Sequence, residues 1–180
     1  MTFLQSIDSW RSNSIAVVGN APVSTQQSEL VDDHDIVVRF NQLPQYHNGQ
    51  TGERFTHWVN NRTSRPPNWA VKLGRSFKTP VYIVTESPQS PKAKKAATYF
   101  ASRQFEVFEQ TEEIWSPLDG PRERTGFLLL CLLGHLKIES TAFGFSNYSD
   151  DDSAGRHDSG REHKLLEKMS TNTVIPTDGG

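Results

Sequence analysis

Apolar residues in this chain fall into short runs, each closed by a turn residue or a polar strand end. Ile15–Val18 is uninterrupted and stops at Gly19-Asn20, and Ile36–Phe40 is a second strand-like run that stops at Asn41. Runs of this length between turn signals predict buried strands. Ser24–Asp33, between them, is polar enough for a surface turn or a short helix. After a Thr51-Gly52 turn, Phe55–Asn60 predicts a third strand, and Pro66-Pro67 then interrupts the chain before a brief helical stretch around Trp69–Leu73. Val81–Thr85, introduced by Pro80, predicts a strand. Pro91–Ser102 predicts a helix, with Pro at its first position and Ala97, Tyr99 and Phe100 toward a sheet. Phe105–Phe108 follows as a strand. Thr125–Leu136 is apolar almost all round, which places it as a helix packed against the sheet rather than at the surface. Ser140–Phe145 is the next strand, Ser146–Gly160 a loop, and Val174 to Gly180 a run ending in turn residues.

Strands alternating with helices imply an α/β fold: a single Rossmann-like domain over residues 1–180 with a mostly parallel sheet flanked by helices, residues 1–13 and 176–180 being flexible ends. Polar groups then sit just past the ends of successive strands, the edge at which open parallel sheets bind ligands.

Composition narrows the class. At 180 residues the chain is one domain's worth, and 19 Lys and Arg against 21 acidic residues give no reason to expect a nucleic-acid partner. Cys131 is the single cysteine, which excludes an internal disulfide and fits a reducing compartment. The N-terminal stretch lacks the apolar core of a signal peptide. The longest apolar run, Phe127–Leu133, is far short of the ~20 residues of a transmembrane segment. A cytoplasmic domain is expected.

Three clusters carry candidate chemistry. A glycine at the strand end, Gly19, lets backbone approach a ligand, and Asn20 offers an amide that both donates and accepts. The GxGxxG fingerprint is absent, and Val-Val-Gly-Asn alone is equally an ordinary strand end. Thr125-Gly126 opens the apolar helix, where free N–H groups and the helix dipole favour a phosphate, while Thr125 is also a plausible cap. Ser159 with Glu162 matches a capping box, so a helix should begin near Gly160, with His163 in its first turn and Glu167 four residues on. The dipole there keeps His163 neutral and basic, and Glu167 would orient its ring; a surface ion pair has the same spacing. His157, Asp158, His163 and Glu167 match no usual zinc spacing, and Asp150–Asp152 reads as a solvated loop, so no metal is expected.

Taken in order, the clusters resemble the sialylmotifs of glycosyltransferase family 29, the eukaryotic-type sialyltransferases. The large motif is matched by Ala16–Asn20, Asp33-His34-Asp35, Arg39-Phe40-Asn41, Pro44, Thr51-Gly52 and Thr56-His57. The small motif is matched by Thr125–Leu128, with Phe143-Gly144-Phe145 at its end. His157 stands where the third motif carries its histidine, and His163 with Glu167 resembles the very small motif. The resemblance implies a variant GT-A-like sialyltransferase fold and an inverting, metal-independent transfer from a CMP-activated sugar acid, sialic acid or Kdo, to a glycan or glycolipid acceptor. The CMP-sugar is the donor substrate, and no cofactor is implied. Carried over, Asn20 and Asn41 should hold the phosphate and ribose, with Gly19 turning the chain beside them. Thr125 and Gly126 should contact the nucleotide, and Gly144 and Phe145 should line the cytidine pocket. His157 should donate to the departing phosphate and His163 should deprotonate the acceptor hydroxyl.

The chain also departs from the family pattern. The motif cysteines fall at Ile15 and Lys137, and Arg124 replaces a serine. Asp158-Ser159 follow His157 in place of two tyrosines, and the His163–Glu167 spacing is one residue short. The chain resembles a compact bacterial- or viral-type member, expected to lack the family's anchor and stem. A CMP-binding protein without transfer activity is the alternative, and a nucleotide-binding module unrelated to sugar transfer is a third. Acceptor recognition is expected in loops Arg62–Pro67 and Glu86–Pro91. Trp58, Trp69 and Trp115 either stack on sugars or pack in the core.

Overall fold

The computed structural model describes residues 1–21, 23–43, 46, 51–61, 66–84, 91–111 and 124–145, with the backbone of 172–174. The strands are β1 (Ile15–Val18), β2 (Ile36–Phe40), β3 (His57–Asn60), β4 (Val81–Ile83), β5 (Val107–Glu109), β6 (Ser140–Phe143) and β7 (Asn172–Val174). The helices are α1 (Phe3–Asp8), α2 (Thr25–Asp32), α3 (Asn68–Ser76), α4 (Pro91–Ala101) and α5 (Thr125–His135), with a 3-10 turn at Ser9–Ser12.

All seven strands form one parallel sheet in the order β5-β4-β3-β2-β1-β6-β7. The chain steps outward from β1 to β5, then returns through α5 to place β6 on the free side of β1. The order reverses there. This is the Rossmann-like α/β architecture that the hydrophobic pattern predicts.

Alternation along the strands sorts the core onto two faces. Ile15, Val17, Ile36, Val38, Val59 and Tyr82 pack with α5 and the N-terminal segment. Ala16, Val18 and Val37 pack with Val31 of α2, while Trp58, Val81 and Ile83 pack with Ala70 of α3 and Ala93, Ala96, Ala97 and Phe100 of α4. Helix α5 is buried without a break from Thr125 to Leu133, as a helix apolar on all sides must be.

One expectation needs correction, and one alternative is resolved. Residues 1–13 are not a flexible lead-in. They form α1, started by a reciprocal Thr2–Gln5 capping box, and the 3-10 turn that follows. Phe3, Ile7 and Trp10 are buried beside α5, and Trp10 packs edge-on to His57 and Tyr82 at ring separations of 4.8 and 5.1 Å. Arg11 closes the junction by donating to the carbonyls of Leu136 and Lys137 at 2.9 and 3.0 Å, beyond the end of α5. Trp58 is fully buried and unavailable to a sugar. Strand β7 occupies residues for which the sequence pattern predicts no element.

Candidate functional site

Strand order reverses between β1 and β6, and open α/β sheets bind ligands outside the C-terminal strand ends at such a point. Gly19 follows β1 there and Gly144 follows β6. The Gly19 N–H donates to the Phe143 carbonyl at 2.7 Å, and the Ala21 N–H to the Gly144 carbonyl at 3.3 Å. A Cβ at Gly19 would collide with the Gly144 carbonyl oxygen. Gly144 has φ +67°, and a Cβ on it would stand 2.6 Å from the Ala21 oxygen. Both positions require glycine because two backbones touch without side chains between them.

The start of α5 borders the same edge. Thr125 is its first helical residue, not its cap. Arg124 holds the cap position, and its side chain makes no capping hydrogen bond. Phe145 lies over Gly126, its ring carbons 2.7 and 2.8 Å from where a Cβ would be, and stands edge-on to Phe40 at 6.4 Å. Phe145 thereby joins the ends of β6 and β2 to the first turn of α5.

Asn20 is partly exposed, and its side-chain amide makes no hydrogen bond among the described residues. Asn41 has a structural role as well as a position on the edge. Its φ is +50°, a conformation asparagine tolerates better than most residues. Its N–H donates to Val59 at 3.0 Å, its carbonyl accepts from the Trp58 indole at 2.9 Å, and its Oδ1 accepts from the Asn61 N–H at 3.3 Å. Its Nδ2 group makes no hydrogen bond among the described residues.

The structure thus brings Gly19, Asn20, Asn41, Thr125, Gly126, Gly144 and Phe145 to one edge of the sheet. His157, His163 and Glu167 lie outside the described residues, as do most of the two loops expected to meet an acceptor. The sequence reading missed Phe40, which seats Phe145, and Asn60-Asn61 at the end of β3. Among the described residues Asn61 Oδ1 is buried with no partner. The signal was present: β1, β2 and β3 each run out into asparagine at the same edge.

Arg39 faces the opposite side and serves the fold. Its guanidinium donates to Thr51 Oγ1 and to the carbonyls of Thr51, Gly52 and Arg54 at 2.7–3.0 Å, and lies 4.9 Å from the Tyr46 ring. Burial lowers its pKa to about 10, so it remains charged at neutral pH while bracing the link into β3. His57, packed against Trp10 and Tyr82, is pushed down to about 4 by burial and is neutral at physiological pH. Among the described residues no group of three or more His, Cys, Asp and Glu is placed to hold a metal ion.

No protein-family model matches the chain, and no curated protein matches it in sequence. It is similar to a solved structure described as the crystal structure of a mammalian sialyltransferase. The identity is 18% and the TM-score 0.59, over 92% of this chain and 70% of the other. The fold is sialyltransferase-like. Among the described residues no helix is long and apolar enough to cross a membrane.

Proposed function

We propose that the chain is a CMP-sugar-dependent glycosyltransferase. It moves a sugar acid, sialic acid or Kdo, from its CMP-activated donor to a glycan hydroxyl, with inversion and without a metal. The observation that carries this reading is the meeting of Gly19, Gly144, Gly126 and Phe145 at the point where strand order reverses, in a fold shared with a sialyltransferase.

The division of labour follows from charge. As the bond to CMP lengthens, the sugar gains oxocarbenium character and the phosphate gains negative charge, as in related glycosyl chemistry. The N–H groups at the start of α5, with the helix dipole, favour the nucleotide's anionic part. The Asn20 amide and the Nδ2 of Asn41 hydrogen-bond the phosphate and ribose, and Gly144 and Phe145 flank the cytosine. His157 donates to the leaving phosphate and His163 takes the proton of the acceptor hydroxyl as it attacks the opposite face.

Purified protein should release CMP from CMP-sialic acid or CMP-Kdo in the presence of EDTA and a glycan acceptor. His163→Ala should slow that release roughly 10²–10⁴-fold with CMP still bound. In the same assay Gly126→Ala, whose methyl group must displace the Phe145 ring, should weaken CMP binding with the fold retained. CMP binding without release across donors and acceptors would favour the inactive CMP-binding protein, and preference for UDP or NAD would refute the CMP assignment.

A further inference from the structure

Charge is unevenly spread along this nearly neutral chain. From Asn60 to Phe105 there are nine cations and one acid, Glu86, whereas the remaining residues carry ten cations against twenty acids. The fold gathers much of this positive segment on one surface. Helices α3 and α4 pack side by side over β3, β4 and β5 through a shared apolar cluster, and Arg75 donates to Gln104 at 3.3 Å where they end. With Ala70, Gly74, Ala93, Ala96, Ala97 and Phe100 turned inward, Lys72 and Arg75 of α3 and Lys94 and Lys95 of α4 are exposed. Among the described residues these four cations form no ion pair.

Two further features mark this surface. Phe77, between Arg75 and Lys78 at the end of α3, is 55% exposed, one of the few large apolar side chains so placed. Lys92, Lys94 and Lys95 crowd the beginning of α4, the positive end of its dipole, with no acidic residue in the first turn. That arrangement works against the helix dipole. Of the described acids, Glu106 and Glu109 belong to the edge strand and its approach, Glu53 to the link into β3, and Glu29, Asp32 and the C-cap Asp33 to α2 and its end, on the same face of the sheet.

We propose that the outer surface of α3 and α4 docks onto an anionic lipid bilayer, Lys72, Arg75, Lys94 and Lys95 meeting the headgroups and Phe77 entering the interface beside Lys78. Charge complementarity identifies the occupant as anionic. The protruding aromatic side chain among cations on the outside of two helices fits a membrane boundary better than a nucleic-acid groove. The proposal is independent of the donor site, and docking would hold the protein beside lipid-borne glycans.

The test is sedimentation of the full chain with vesicles of phosphatidylcholine alone or with added phosphatidylglycerol. Binding is expected only to the anionic vesicles in 0.1 M salt, with release at 1 M as the screening length falls from about 10 to about 3 Å. At roughly fivefold per cation, the combined Lys72→Glu, Arg75→Glu, Lys94→Glu, Lys95→Glu variant should lose about a hundredfold or more in affinity. Its glutamine counterpart should lose less, and guards against misfolding of the reversed form. Phe77→Ser should weaken binding with its salt dependence preserved. CMP release on a soluble acceptor should be unchanged in all three variants, which separates this proposal from the catalytic one. No vesicle binding, equal binding to neutral vesicles, or undiminished binding by folded charge variants would overturn it. Retention of DNA without vesicle binding would overturn it too, and would reassign the surface to a soluble polyanion.

Discussion

His57 gives the most direct reading of how burial governs a single side chain. Partly buried, in ring contact with Trp10 and Tyr82 and 2.9 Å from Thr56 Oγ1 through Nδ1, it has a folded pKa of about 4 against the ordinary 6.5. Above pH 6.5 it is neutral whether the chain is folded or not, so it has no differential effect. Below that the unfolded chain takes up a proton that the folded one refuses, and stability should fall by roughly 2 kcal/mol between pH 6.5 and 5. Urea unfolding across this interval should show that loss, and His57→Gln should flatten it. A tie between His57 and the early residues could not be read from sequence, because it depends on a helix packed from far along the chain. The glycines of the site were readable for the opposite reason: a glycine closing an apolar run marks close backbone approach whatever lies opposite. Asn41 was readable as an edge residue but not as the group that ties β2 to β3.

Helices α3, α4 and α5 end alike. Lys78, Gln104 and Lys137 adopt φ of +52°, +63° and +54°, and each following N–H reaches back to a carbonyl in the last turn: Thr79 to Gly74, Phe105 to Phe100 and Ile138 to Leu133. These are Schellman ends without the usual glycine, held by apolar contacts such as Phe105 on Phe100 at 5.5 Å. Because a non-glycine residue is strained in that conformation, Gln104→Gly and Lys137→Gly should each stabilise by about 0.5–1 kcal/mol. Thermal unfolding should rise by about 2–4 °C per kcal/mol gained. Without glycine at these positions the stops had to be inferred from where the apolar pattern changed, and they came out close. Helix α1 was missed because six residues carry too little periodicity, although Thr2 and Gln5 spell its capping box. Strand β7 was missed because Asn172–Val174 has neither length nor an apolar run.

Seven strands in one sheet make the N-terminal segment more than a lead-in, since it covers one face beside α5. Phe3, Ile7 and Trp10 are each at most 3% exposed. At about 1.5–3 kcal/mol each, they bring roughly 5–9 kcal/mol of burial, comparable with the whole stability of an ordinary domain. Deleting residues 2–12 should therefore yield an insoluble or non-cooperatively unfolding protein, checked by circular dichroism and denaturant titration; a truncated chain that melts sharply would contradict it. The fold class was readable because strand and helix periods alternate cleanly, whereas the order in which strands lie side by side is a property of packing that no local pattern encodes. That order has a consequence for biosynthesis. Gly19 meets its partner Gly144 only after the intervening polypeptide has emerged from the ribosome, so a nascent chain carries one side of this backbone contact until α5 and β6 arrive. A product terminated before β6 would carry Asn20 and Asn41 without the Gly144 backbone against which Gly19 packs.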